Sequence, residues 1–259
     1  MRLSYWVVDA FTQTVFAGNP AAVLLPDQPL PPALMQRIAA ENNLSETAFA
    51  VARDGAYDLR WFTPTVEVDL CGHATLAASF VLASLGNPGP FTFNTRSGVL
   101  TSRVTDGVIE LDFPARGFRH VTAPAGLAAV LGHAPLDVLQ SADLVAVLPS
   151  YVSVARLKPD IAAVAALPGG ALIVTAAGGE DGADITSRYF APAYGIAEDP
   201  VTGSLHTQVV PYWAGRLGKQ TLICRQASAR GGVMTCTLEG ERVRMAGHAV
   251  MYAHGEIYV

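Results

Sequence analysis

Two short stretches of this chain carry the side chains best suited to acid/base chemistry. The first is Cys71-Gly72-His73-Ala74-Thr75-Leu76, and the second is Asp199-Pro200-Val201-Thr202-Gly203-Ser204-Leu205. Each sets titratable groups beside a glycine at the start of a run that reads as a helix. A helix start leaves about four backbone N–H groups unpaired and carries partial positive charge, so it attracts carboxylates. Glycine there lets an anion approach the backbone closely. Gly72, His73, Gly203 and Ser204 are therefore candidates for holding a small carboxylate. Ordinary structural readings stand beside this one. Asp199 before Pro200 is a common helix start, with Asp at the N-cap and Pro at the first helical position. His73 reads equally as a satisfied buried group, and Cys71 beside an apolar helix reads as buried and inert. Glu46, in Leu44-Ser45-Glu46-Thr47-Ala48-Phe49, reads as a solvated edge residue or as a catalytic carboxylate.

Other chemistries have less support. Cys71 and His73 are two residues apart and no further pattern completes a hydrolase triad. The remaining histidines, His120, His133, His206, His248 and His254, show no ligand spacing such as HExxH, so no metal site is expected. No GxGxxG opens a βαβ unit and no phosphate-binding loop is present. A two-thiol racemase is not available at these positions, because the counterpart of Cys71 is Asp199.

That counterpart comes from an internal repeat. Phe62, Pro64 and Cys71 precede Phe190, Pro192 and Asp199 by 128 positions each, and Arg96-Ser97-Gly98-Val99 precedes Arg230-Gly231-Gly232-Val233 by 134. Ordered matches at nearly half the chain length imply two copies of one folding unit. Within each copy most segments read as strands. Val99–Val104 and Val108–Phe113 flank Asp106-Gly107, a strong hairpin signal, and Leu59–Phe62 and Ser187–Phe190 read as strands ending at a proline. Ala74–Leu85 is apolar nearly all round, which predicts a buried helix. Ser204–Leu217 is its match, with Pro211 expected to disturb it. Pro32–Asn42 and Pro159–Ala166 read as further helices, and Pro114–Pro124 as the linker. The predicted domains are residues 1–115, with 249–259 returning to them, and 116–248. If the copies face each other across a pseudo-twofold, both helix starts converge on one cleft.

Composition narrows the class further. Of 259 residues, 51 % are apolar and 15 % charged, against a usual charged share of about 25 %. That excludes a disordered chain. The net charge of −5 supplies no basic stripe for nucleic acid. Three cysteines argue against a disulfide framework and fit a reducing cytoplasm. The apolar runs are too short for a signal peptide or a membrane span.

The motifs together resemble a known family. Val8-Asp9-Ala10-Phe11, Gly18-Asn19-Pro20-Ala21-Ala22-Val23 and Asn43-Leu44-Ser45-Glu46-Thr47 resemble the opening of the phenazine-biosynthesis PhzF-like isomerases. The two stretches around Cys71 and Asp199, and Gln226-Ala227-Ser228 with Arg230-Gly231-Gly232, continue the match in order. The Cys-Gly-His-Ala-Thr form departs from the Ala-Gly-His-Pro of the phenazine enzyme proper, so the phenazine substrate is not carried over. The resemblance implies an α+β, diaminopimelate-epimerase-like fold: two pseudo-twofold-related domains, each a sheet around a central helix. It implies an acid/base isomerase of a small carboxylic acid with no cofactor and no metal, and it suggests a homodimer. Glu46 would move the proton, with His73, Asp199 and Ser204 assisting, and backbone N–H groups at Gly72, His73, Gly203 and Ser204 would hold the substrate. Three alternatives remain: an amino-acid-type epimerase or racemase, a non-catalytic metabolite- or protein-binding member of the same scaffold, and a cysteine-dependent hydrolase.

Overall fold

The computed structural model describes residues 1–259. They form two compact units, residues 1–112 with 245–259, and residues 113–244.

The first unit contains β1 (Arg2–Ala10), β2 (Asn19–Leu24), β3 (Glu46–Arg53), β4 (Ala56–Phe62), β5 (Glu67–Val68), β6 (Phe91–Thr95), β7 (Gly98–Thr105) and the start of β8 (Val108–Pro114). β1 pairs antiparallel with β2, β2 parallel with β3, β3 antiparallel with β4 and β4 parallel with β6. The hairpin at Asp106-Gly107 joins β7 to β8, as its residues predict. The other edge of β1 is covered by the C-terminal strand Ala249–Tyr258, which pairs with it along its whole length. Helix α1 (Pro32–Asn42) turns Met35, Ile38 and Ala39 inward, onto a core that includes Leu24, Phe49 and Phe62.

Helix α2 (Gly72–Ser84) has no polar face, and ten of its 13 residues are buried. An apolar helix of this kind must be surrounded. It packs on β1, β2, β3, β7 and the C-terminal strand, so the sheet curls around it. Ala77 and Ala78 are fully buried, and small side chains there let the strands come close. Its buried hydroxyls are satisfied internally: Thr75 Oγ1 donates to Cys71 O, and the hydroxyls of Ser79 and Ser102 meet at 2.6 Å.

The second unit repeats this plan. Its strands are β9 (Arg119–His120), β10 (Asp137–Gln140), β11 (Leu144–Val147), β12 (Leu172–Ala177), β13 (Ile185–Ala191), β14 (Ile196–Asp199), β15 (Thr221–Gln226) and β16 (Gly232–Glu239). β13 lies between β12, antiparallel to it, and β15, parallel to it. Three short helices, α3 (Leu127–Leu131), α4 (Tyr151–Arg156) and α5 (Ile161–Ala165), cover a core around Leu172, Val174 and Phe190. The helix expected over 159–166 is shorter than its pattern, because Asp160 caps it by accepting from the Ala162 N–H. The central helix α6 (Gly203–Leu217) packs on β12, β15 and β16.

Pro211 does not break α6. Proline cannot donate to the carbonyl four residues back, here that of Thr207. The Arg116 N–H donates to that carbonyl at 2.9 Å instead, so the orphaned acceptor is satisfied from outside the helix.

Close packing around α2 makes a measurable expectation. Ala78→Leu overpacks a fully buried site and should cost about 1–3 kcal/mol, read as a lower urea midpoint with an unchanged slope.

Candidate functional site

In the first unit three segments far apart in sequence bring polar side chains to the start of α2. Helix α1 ends at Asn43, whose backbone is left-handed (φ 49°). Three residues later β3 begins with Glu46, placed in register beside Ala21 of β2. Asn19 opens β2, and Gly18 before it has φ +67°, a conformation L side chains rarely adopt. A Cβ at Gly18 would run into the Ala10 carbonyl and the Thr12 side chain. Cys71 is the extended N-cap of α2, with no side-chain capping bond, and His73 sits in the first turn.

His73 is the hub of this cluster. It is 4 % exposed. Its Nδ1 lies 3.2 Å from Asn19 Nδ2 and 3.5 Å from Cys71 Sγ. Its Nε2 lies 3.1 Å from Glu46 Oε2, whose side chain is 12 % exposed. That contact lacks hydrogen-bond alignment, and neither atom has a hydrogen-bond partner. Burial alone would pull the His73 imidazolium down in pKa, but its interactions with Cys71 and Glu46 outweigh it and hold the group well above its ordinary value. Burial also pushes the Cys71 thiol up to about 11. At neutral pH that sulfur is therefore protonated. The solvated-edge reading of Glu46 does not hold, because its carboxylate points inward. The first turn of α2 contains no acidic residue of its own.

In the second unit the helix start is built differently. Asp199 is not the N-cap. It ends β14, and Thr202, in extended conformation, caps α6. The Asp199 carboxylate accepts from Thr202 Oγ1 at 2.5 Å. Gln226 completes the frame: its Oε1 accepts from the Thr202 N–H, and its Nε2 donates to Asp199 O and to Thr202 Oγ1. The reason for the shift is a local difference between the copies. The sequence offset of 128 pairs Cys71 with Asp199, but the helices begin at 72 and 203, which pairs Cys71 with Thr202 instead. Gly203 is buried, and Ser204 is exposed on the first turn. One turn on, His206 is fully buried. Its Nδ1 lies 2.8 Å from Thr202 O, and its Nε2 has no hydrogen-bond partner. Burial lowers its pKa to about 4.

Of the residues singled out from sequence, Glu46, Gly72 and His73 come together in the first unit, and Asp199, Gly203 and Ser204 lie at one helix start in the second. Asn19 and Gln226 were passed over as site residues, although both stand inside the quoted motifs. A polar residue opening a buried strand, as Asn19 does, was the available signal. Cys71 is buried as expected, but its sulfur lies against the hub of the cluster.

The model of the phenazine biosynthesis-like (PhzC–PhzF) family matches residues 8–255. A Pseudomonas aeruginosa protein named an uncharacterized isomerase is 51 % identical over 260 residues, covering 99 % of each chain. The crystal structure of a phenazine biosynthesis protein of the PhzF family from Enterococcus faecalis superposes with a TM-score of 0.96 at 44 % identity, over 100 % of both chains. A hydroxyproline epimerase from Agrobacterium vitis shares the fold, with a TM-score of 0.63 at 11 % identity over 99 % of this chain and 92 % of that one. No helix is long and apolar enough to cross a membrane.

Two outcomes follow from the geometry. Gly18→Ala should lower stability by about 2 kcal/mol or more, because the left-handed backbone and the Ala10 carbonyl both oppose a side chain; urea unfolding reads this. His206 stays neutral in the fold but protonates in the unfolded chain below about 6.5. Its contribution is thus complete above that pH and fades as pH falls toward about 4. At about 1.4 kcal/mol per unit the loss approaches about 3 kcal/mol. Urea midpoints across this range should fall less steeply for His206→Asn than for the wild type.

Proposed function

This chain belongs to the phenazine biosynthesis-like family and is an isomerase, and from that premise we propose that it moves a proton on a small carboxylic acid with Glu46 as the proton carrier. The observation that carries this reading is the buried contact between Glu46 Oε2 and His73 Nε2 at the start of α2. A carboxylate held out of water beside an imidazole can accept a proton from carbon and return it elsewhere on the same molecule. Such a group contributes about 10²–10⁴ in rate. His73 lies against the Glu46 carboxyl group and orients it. Backbone N–H groups of Gly72 and His73, on a helix start with no capping side chain, bind the substrate carboxylate and spread the enolate-like charge. The start of α6, at Gly203 and Ser204, offers backbone N–H groups of the same kind. Asp199 acts there mainly through Thr202, by holding the cap that aims those N–H groups. None of these steps draws on a cofactor.

The test uses solvent deuterium. The protein is incubated in D₂O with a panel of 2-amino and 2-hydroxy acids and their unsaturated relatives, and NMR follows deuterium entering at carbon. The wild type should exchange at least one of them, and folded Glu46→Gln should exchange it at least about 100-fold more slowly. Equal rates would remove Glu46 as the base. The position of the label distinguishes isomerisation, where it enters at a new carbon, from epimerisation, where it replaces hydrogen at the same one.

A further inference from the structure

We propose that two ion pairs, Arg60–Glu67 in the first unit and Arg188–Glu198 in the second, are positioning residues for the isomerase. Each clamps the chain leading into its central helix and so sets where the backbone N–H groups of that helix start point; this rests on the reading that those groups hold the substrate. Both pairs have one geometry. Arg60 Nε and Nη2 donate to the two Glu67 carboxylate oxygens at 2.7 Å each. Arg188 Nε and Nη2 donate to those of Glu198 at 2.7 and 2.8 Å. Each guanidinium also lies over the phenylalanine two residues on, 5.3 Å from the Phe62 ring centre and 4.8 Å from that of Phe190. Both rings are buried in the cores of their units, so each clamp is seated on a core. A fork with two hydrogen bonds fixes distance and plane together, which a single charge contact does not.

Spacing identifies what the clamps hold. Arg60 and Phe62 precede Arg188 and Phe190 by 128 positions, but Glu67 precedes Glu198 by 131, the offset that also separates the helix starts at Gly72 and Gly203. The second copy therefore has three more residues between arginine and glutamate, and none more between glutamate and helix. The acid stands five positions before the helix start in both copies, whatever the length of the loop behind it. Only four residues separate each anchored glutamate from its helix, Val68 to Cys71 and Asp199 to Thr202. The surroundings of the two clamps differ. Arg96 Nη2 reaches Glu67 Oε2 at 2.7 Å as a second cation. Arg188 Nη1 instead donates to Leu157 O at 2.5 Å and to Val154 O at 3.3 Å, at the end of α4. Side-chain exposure is 30 % and 12 % in the first pair and 11 % and 22 % in the second. Removing one partner therefore leaves a mostly buried charge without its counterpart.

The experiment uses the full-length protein and two readouts. Without substrate, ¹⁵N relaxation gives backbone order parameters at both helix starts. The wild type should be rigid at Gly72, His73, Gly203 and Ser204, near about 0.85. Glu67→Gln should lower the values at Gly72 and His73 toward about 0.6 and leave those at Gly203 and Ser204 unchanged; Glu198→Gln should do the reverse. With the acid that the wild type exchanges in D₂O, kcat/KM should fall about tenfold or more in each variant at a temperature where it is fully folded. Arg60→Lys and Arg188→Lys keep the charge and disturb folding less, but lose the fork, and should not restore wild-type kcat/KM. A role in stability alone would lower the urea midpoint and leave kcat/KM of the folded protein intact, and that result overturns the proposal. So do unchanged order parameters, or a loss spread equally over both helix starts. The order parameters need no substrate, so a wild type that exchanges none of the acids removes the proton-transfer reading and still leaves the clamps tested.

Discussion

A helix with no polar side has nowhere to go but the interior, and that constraint organises the first unit. The strands must curl around α2 to cover it, and once they do, whatever stands at its first turn is carried inside with it. His73 is therefore buried because Leu76, Ala77, Ala78 and Val81 are apolar, not because of anything in its own chemistry. A buried imidazole needs polar company. Asn19 and Glu46, each the first residue of a strand packed on α2, supply it. Packing thus creates the low-dielectric setting, and strand starts deliver the charged and polar groups into it.

The two units use one plan for different ends. In the first, the helix start carries a set of groups able to gain and lose protons. In the second, the carboxylate and amide of Asp199 and Gln226 are spent on fixing Thr202, so that start is a rigid frame for backbone N–H groups. His206 belongs to the frame as well, since its ring meets the Thr202 carbonyl and burial keeps it neutral.

Much of the fold was legible in the residues. The Asp106-Gly107 hairpin, the all-round apolar run of α2 and the inward face of α1 each follow from local pattern, since turn conformations and helix faces depend on nearest neighbours. Pro211 misled in a specific way. The sequence shows the missing donor, but not that the Arg116 N–H arrives from elsewhere in the chain to satisfy Thr207. Asp199 misled for a related reason. Asp-Pro is a sound local signal for a helix start, yet the Gln226 side chain, brought in by β15, engages Thr202 and the helix begins three residues later.

From sequence alone came the list of parts: a duplicated plan, two glycine-bearing helix starts, and Glu46, His73, Asp199 and Ser204 as the groups to watch. Tertiary structure alone decided the partnerships. Whether Glu46 faces water or His73, whether Cys71 is isolated or against an imidazole, and whether Asp199 caps a helix or holds a threonine depend on contacts between residues tens of positions apart. Local propensity carries no information about such contacts, because they arise only when distant strands close around a common core.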